Sequence, residues 1–466
     1  MWTFVTLLLM AAITSRSNAL VMRGTRFLPR QQNGITLHAI AAQGLDFRYA
    51  TNLTVNGQDF NVVIDTGSSD IWVIPPADFV FENTGIPVSL LFAGGSANGT
   101  VGFGTVELGP YTVDQQVFQN VTSTDIGAIQ DLGLTGLLGL SFSGIASPLT
   151  IALTENGSDP VLGNPLLFNI FNQTSHDNFI GISLSRTGDL EGTADASFTI
   201  NEFDPKYAAV ANAPTIPVFS GKIPRWRIAV DSISVDGVDV PLPQSNVSTA
   251  PAGKLATLLD TGNPTASVPA SLISSVFSQI PGALFQVVEG LVIEGQAVTG
   301  PLWTVPCNTT TIVSVGMGGQ SFPIHPLDLS LVFINNVTNV ATCVSEWVAT
   351  PGTPGDIDMA FGDSFLRNFY TVFNFGDNVV QSPSGSSVQL LSQTNATSAQ
   401  QDVLRVRTAQ LVGTSSTNPS STPDASSTGQ SLAATSPTKQ SGQPRVVVSR
   451  CIFSFFVIFV FILLRD

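Results

Sequence analysis

The sequence predicts an all-β body built as two lobes, with a few short helices. Its 466 residues exceed one ordinary core and suit two lobes of about 150–200 residues each. From Phe47 to about Leu390, short runs of β-branched and aromatic residues alternate with turn signals such as Asn56-Gly57, Asp236-Gly237 and Gly318-Gly319. One segment also recurs: Val62-Val63-Ile64-Asp65-Thr66-Gly67 is echoed by Thr257-Leu258-Leu259-Asp260-Thr261-Gly262.

Each copy is followed downstream by an apolar run containing glycine, Gly136–Leu140 in the first half and Met359–Asp363 in the second. A duplication of this length implies two similar lobes, 45–215 and 216–393, facing each other; a solenoid would repeat over a far shorter period. Helical periodicity is confined to Pro165–Thr174 and Ala270–Ile280.

The flanks have another character. Phe4–Ile13 is apolar and Ser17-Asn18-Ala19 offers small residues for cleavage, so 1–19 reads as a secretory signal lacking the usual basic start. Residues 20–44, with Arg23, Arg26 and Arg30, read as a short pro-segment or N-terminal extension. Nine Asn-x-Ser/Thr triplets begin at Asn52, Asn98, Asn120, Asn156, Asn172, Asn246, Asn308, Asn336 and Asn395 and favour passage through an oxidising lumen.

Beyond Gln393 the chain turns to Ser, Thr, Gln, Pro and Gly, and 394–444 is expected to be a disordered, O-glycosylated stalk. In 445–466 the run Cys451–Leu464 would make about 21 Å of helix against a bilayer core of about 30 Å. With Ser441-Gly442 upstream it resembles a GPI-attachment signal, Ser441 being the candidate site. A short membrane helix extended by Val446–Val448 is the alternative. Either would hold the protein to the outer face of a membrane, at the cell surface or cell wall.

Asp and Glu number 33 against 18 Lys and Arg, a formal charge of −15. Such a chain lacks the basic face a nucleic-acid partner requires. It suits work in acid, where protonation relieves self-repulsion, and equally the solubility of a secreted protein. Of three cysteines, an oxidising route favours a Cys307–Cys343 bridge, with two free buried thiols as the alternative. His38, His176 and His325 have no Cys or His neighbour at ligand spacing, so no metal site and no cofactor are expected.

One Asp-Thr-Gly reads as an Asx-turn at a strand end. Two, each closing an apolar strand in half of a duplicated body, support a specific chemistry. Hydrolysis without metal or covalent nucleophile needs a base to activate water and an acid to protonate the developing group. Two carboxylates around one water do both when they share a proton, because like charges about 3 Å apart cannot both ionise. Asp65 and Asp260 are the candidates. Gly67 and Gly262 would permit close approach, and Thr66 and Thr261 would hydrogen-bond across the lobe junction.

Over roughly 45–393 the chain resembles the pepsin-like aspartic proteases, the type case of such a shared proton. The resemblance rests on Asp65-Thr66-Gly67-Ser68-Ser69-Asp70-Ile71-Trp72-Val73, Leu259–Gly262, and Gly362-Asp363-Ser364-Phe365-Leu366-Arg367-Asn368-Phe369-Tyr370-Thr371-Val372-Phe373. Val305-Pro306-Cys307 and Cys343 sit where the family places a C-lobe disulfide. It implies the bilobal pepsin-like fold with an active cleft between the lobes and endopeptidase activity in acid. Extended peptide or protein substrates, inhibition by pepstatin, action as a monomer and a Ser68 hydrogen bond to Asp65 follow as further implications.

Departures from the family pattern bear on rate. Leu91–Ser96 aligns with the substrate-covering flap, where Phe92 stands for a Tyr that would reach Trp72; Ala93 follows, and Gly94 replaces a polar residue. Asn263-Pro264 replaces two hydroxyl residues after Asp260, Asn374 replaces an Asp, and the front segment lacks the inhibitory Lys. A weak or inactive surface glycoprotein that binds peptides or cell-wall material is therefore the second expectation. A serine hydrolase is excluded by the lack of a Gly-x-Ser-x-Gly elbow; Ser175-His176-Asp177 are merely neighbours in sequence.

Overall fold

The computed structural model describes residues 35–415 apart from 43–44, 93, 127–128, 130–131, 144–145, 175–177, 187–195, 294–295, 298–299, 336–337, 339, 351–355 and 377–384. The signal 1–19, the start of the 20–44 segment, Ala93, Asn336 and everything from 416 on, Ser441 and the Cys451–Leu464 run included, lie outside the described residues.

Turn chemistry sets the hairpins. Asn56 and Gly57 take φ of 49° and 81°, and join Leu45–Val55 to Gln58–Asp65 with Val55 opposite Gln58. Asp236-Gly237, at 48° and 81°, and Gly318-Gly319, at 58° and 75°, repeat this two-residue connection. Positive φ at both central positions matches the right-handed twist of the flanking strands.

The fold is all-β, with eight-stranded sheets in the first and second halves. The two copies of the repeated segment occupy equivalent places in them. Strand Gln58–Asp65 runs parallel to Gly136–Gly139, with Asp65 opposite Gly139; Leu255–Leu259 runs parallel to Met359–Phe361, with Leu259 opposite Phe361. In each half a third strand, Ile71–Val73 or Ala266–Pro269, pairs antiparallel with the downstream run. The two Asp-Thr-Gly triplets thus leave the sheets at matching points.

A six-stranded sheet ties the halves together, in the order Ile35–Thr36, Ser197–Ile200, Phe179–Ser183, Phe369–Asn374, Ser387–Ser392, Thr215–Pro217. Against it pack Phe142, Phe168, Phe171, Trp226, Phe373 and Phe375, with Phe142–Trp226 ring centres 4.5 Å apart. Each such buried ring stabilises the junction by about 1.5–3 kcal/mol. Residues 35–42, within the expected pro-segment or extension, pair in strands with Ser197–Phe198 and Leu45–Ala50. The periodic segments form the helices Leu166–Asn172 and Ala270–Phe277.

Cys307 and Cys343 form a disulfide with Cα atoms 5.2 Å apart, closing a loop worth about 3–4 kcal/mol. Asn52, Asn156, Asn172, Asn246, Asn308 and Asn395 are exposed, whereas Asn98 and Asn120 are half-buried on neighbouring strands. Among the described residues no helix is long and apolar enough to cross a membrane.

One expectation fails at its start. The composition of 394–444 predicts a disordered stalk, yet Ala396–Ser415 is a 20-residue helix. Its buried stripe is Ala399, Asp402, Val403 and Arg407. Two of these four are ionisable, so an amphipathic helix is hidden inside a polar composition.

Candidate active site

Asp65 ends its strand where Leu140 N–H donates to its carbonyl at 2.7 Å. Its Oδ1 accepts the Gly67 N–H at 2.8 Å and its Oδ2 the Ser68 hydroxyl. Asp260 follows the equivalent strand; its own N–H donates to the Phe361 carbonyl at 3.0 Å and its Oδ1 accepts the Gly262 N–H at 2.9 Å.

The two loops interlock. Thr66 Oγ1 donates to the Leu259 carbonyl at 2.9 Å and accepts the Thr261 N–H at 3.0 Å; Thr261 Oγ1 donates to the Ile64 carbonyl at 2.9 Å and accepts the Thr66 N–H at 3.0 Å. Each carboxylate then lies over the other loop's glycine. A Cβ on Gly67 would meet Asp260 Cγ at 2.5 Å, and one on Gly262 would meet Asp65 Cγ at 2.6 Å. Only glycine leaves that space.

Both acids are buried, Asp65 at 1% and Asp260 at 2% exposure. Burial first, then the adjacent Asp65 charge, pushes the Asp260 carboxyl well above the usual carboxylate range, with Asp363 adding to the rise. Asp363 is itself raised by burial, against the pull of Arg48 and Arg367. The pair is therefore built to keep one proton.

The loops differ in their support. Ser68 reaches Asp65, but the Asn263 side chain turns to Ser267, at 3.3 Å, and to the Thr265 N–H, at 3.2 Å. Backbone bonds brace both loops: Asp363 N–H to the Asn263 carbonyl at 2.7 Å, Gly362 N–H to Thr265 at 3.0 Å and Ser364 N–H to Pro264 at 3.1 Å in one, Gly139 N–H to Asp70 at 3.1 Å and Ser141 N–H to Ser68 at 2.8 Å in the other. Phe92 and Trp72 rings lie 6.2 Å apart, and the buried Trp72 Nε1 has no hydrogen-bond partner among the described residues. Phe92, Leu90, Ser68, Ser69, Asp70, Ala146 and Pro148 line a pocket beside the Asp65 loop. Gly94 lies between the paired strands Glu82–Phe92 and Gly95–Leu108.

Sequence reasoning misses three supports. Arg48, 1% exposed, donates to the Gly262 carbonyl across the junction; a lone Arg in a predicted strand is its only signal. Asp70 accepts from Ser147 Oγ at 2.5 Å and Leu149 N–H at 3.0 Å, a pairing 77 residues apart that no local pattern shows. Burial outweighs those bonds and pushes it up to about 6. Asp363 stands in the 362–373 motif, which by itself gives it no place beside the acids.

Two buried acids held over each other's glycines by a reciprocal threonine lock define a carboxylate-dyad hydrolase. The family model "Eukaryotic aspartyl protease" matches residues 48–77 and 79–384, and the chain belongs to that family. Its relatives include Major aspartyl peptidase 1 of Cryptococcus neoformans var. grubii, 27% identical over 367 residues, covering 71% of this chain and 67% of the relative. A probable aspartic-type endopeptidase of Aspergillus fumigatus is 28% identical over 370 residues, covering 72% and 77%. Pepsin A of Sus scrofa is 25% identical over 355 residues, covering 72% and 81%. The protein is an aspartic-type endopeptidase acting on peptide bonds.

Proposed function

We propose that Asp65 and Asp260 are its catalytic pair. Asp260 carries the shared proton and Asp65, held by Gly67 and Ser68, is the base. A water between them attacks the peptide carbonyl as Asp65 takes its proton and Asp260 protonates the carbonyl oxygen. Collapse of the diol re-forms the carbonyl as one hydroxyl gives its proton back to Asp260, and breaks the C–N bond while Asp65 passes its proton to the leaving nitrogen. The crossed packing of each carboxylate on the opposite glycine is the observation that carries this reading.

Since the proton on Asp260 is essential and its affinity is raised, activity extends upward in pH until that proton leaves, then falls. Cleavage of denatured casein in acid, blocked by pepstatin, is expected of the wild type. Asp65→Asn and Asp260→Asn should each lose about a thousandfold or more. Full activity in either would end the assignment.

Slow turnover is a second feature of the reading, favoured by the unpartnered Trp72 Nε1 under Phe92. Peptide or pepstatin binding with no turnover over long incubation would instead support a binding glycoprotein. The apolar start, the sequons and the disulfide support a secreted protein at the cell surface. Release from cells by a phosphatidylinositol-cleaving phospholipase tests the GPI anchor against a membrane helix.

A further inference from the structure

Helix Ala396–Ser415 lies beyond the stretch matched by the family model, which ends at 384. It is nonetheless fastened to the protein by buried charge. Asp402, wholly buried, faces His325 Nε2 at 3.4 Å. The ring's Nδ1 accepts the Leu327 N–H at 3.1 Å, which leaves the proton of the neutral ring on the Nε2 that faces Asp402. One turn on, Arg407 donates to the Ser330 carbonyl and to Ser330 Oγ at 3.3 Å. Thr394, just before the helix, donates to Asn368 Oδ1 at 2.6 Å.

From there the contacts run inward. Asn368 Oδ1 accepts the His325 N–H at 2.8 Å, and its Nδ2 donates to Asp328 at 2.9 Å. Asp328 is paired with Arg186 at 2.8 Å and Arg367 at 3.1 Å. Arg367 also faces Glu346 at 3.6 Å, and Glu346 lies near Ser364. Ser330, which Arg407 holds, pairs with Ser345 on the neighbouring strand, and the next residue, Glu346, donates its N–H to the Leu329 carbonyl at 3.0 Å. Helix Asp363–Leu366, which carries Ser364, is stitched by Asp363 and Ser364 N–H groups to Asn263 and Pro264, the residues that follow the Asp260 triplet.

We propose that the 396–415 helix is a working part of the catalytic body, with Arg407 and Asp402 as positioning residues for the Asp260 loop. The N-terminal loop has its own hydroxyl on Asp65. The C-terminal loop has none from Asn263, and its support is relayed from outside through Glu346, Arg367 and helix Asp363–Leu366. Arg407 anchors the Leu329–Ser330 segment against which Glu346 sits; Asp402 fixes the helix that carries Arg407. This inference rests on the Asp65–Asp260 pair being catalytic, and Asp260→Asn tests that separately.

The test uses full-length protein, with active sites counted by pepstatin titration. Arg407→Met should lower kcat per titrated site about fivefold to tenfold, leave KM within about twofold and displace the upper pH limb of kcat. Arg407→Lys, which keeps the charge, should recover most of the loss. Thr408→Ala, on the exposed face of the same helix, should match wild type. If Arg407→Met does not accumulate folded, Asp402→Asn is measured in the same way, with about a threefold fall expected. Wild-type kcat per site and an unmoved pH limb in the folded variant, whatever its Tm, would overturn the proposal, because a merely structural helix changes how much enzyme survives and not how each site works. The pH dependence of pepstatin affinity, read by calorimetry, should shift in the same variants without any need for turnover.

Discussion

The two Asp-Thr-Gly loops share backbone, register and glycine cradle, yet they are braced differently. Asp65 is served within its own loop by Ser68, three residues on. The Asp260 loop has Asn263 at that place, and its carbonyls at Gly262, Asn263, Pro264 and Thr265 accept from Arg48, Asp363, Ser364 and Gly362 in turn. Duplication supplied the symmetric frame; the environment made the acids unequal. Burial and the neighbouring Asp65 charge raise the proton affinity of Asp260.

The symmetric part should be the less forgiving. Gly67→Ala and Gly262→Ala each place a Cβ within 2.6 Å of the opposite carboxyl carbon and must spread the pair. A displacement near 1 Å costs on the order of a hundredfold, so both should lose at least that in kcat. A tolerated alanine at either position would mean that the carboxylates do not work in this packing.

Ser68→Ala removes a charge-assisted hydrogen bond worth about 1.5–3 kcal/mol, roughly tenfold to a hundredfold in rate if it acts in the transition state. Asn263→Ala should cost only a few fold, since its side chain points to Thr265 and Ser267. Equal losses in the two variants would erase the asymmetry.

At the flap, Phe92→Tyr offers an oxygen to the unpartnered Trp72 Nε1. Satisfying a buried donor is worth about 1–2 kcal/mol, and kcat should rise about threefold to tenfold. A fall, or no change, would detach Phe92 from the slow turnover proposed above.

The last prediction concerns stability rather than rate. Burial raises Asp70 from 3.8 to about 6 and Glu346 from 4.5 to about 7. Groups raised on folding contribute fully below their unfolded values and lose that contribution as pH climbs through the folded ones. Thermal stability should therefore decline between about pH 4 and 7, by on the order of 3 kcal/mol for each group. Asp70→Asn should flatten the lower part of that decline in a Tm–pH series. An unchanged slope would show that Asp70 does not titrate there.

The parts of the molecule set by neighbours in sequence are legible in the sequence alone. Asn56-Gly57, Asp236-Gly237 and Gly318-Gly319 announce their hairpins because each turn needs two residues at positive φ. The two triplets announce the dyad because strand, acid and glycine must follow one another. What stays hidden depends on contacts between distant positions. Arg48 meets Gly262 across 214 residues, and Arg186 meets Asp328 across 142. The 396–415 helix hides for a further reason: its inward stripe is partly charged, and composition reports charge as solvent-seeking whatever its partner.

The six-stranded sheet has a consequence for the gene. Phe179–Ser183 from the first half lies directly against Phe369–Asn374 from the second, through five residue pairs, and Thr215–Pro217 borders Ser387–Ser392. A chain severed between 200 and 215 would give two fragments, each with an open row of unsatisfied amides and carbonyls. Neither half can complete that sheet without strands from the other.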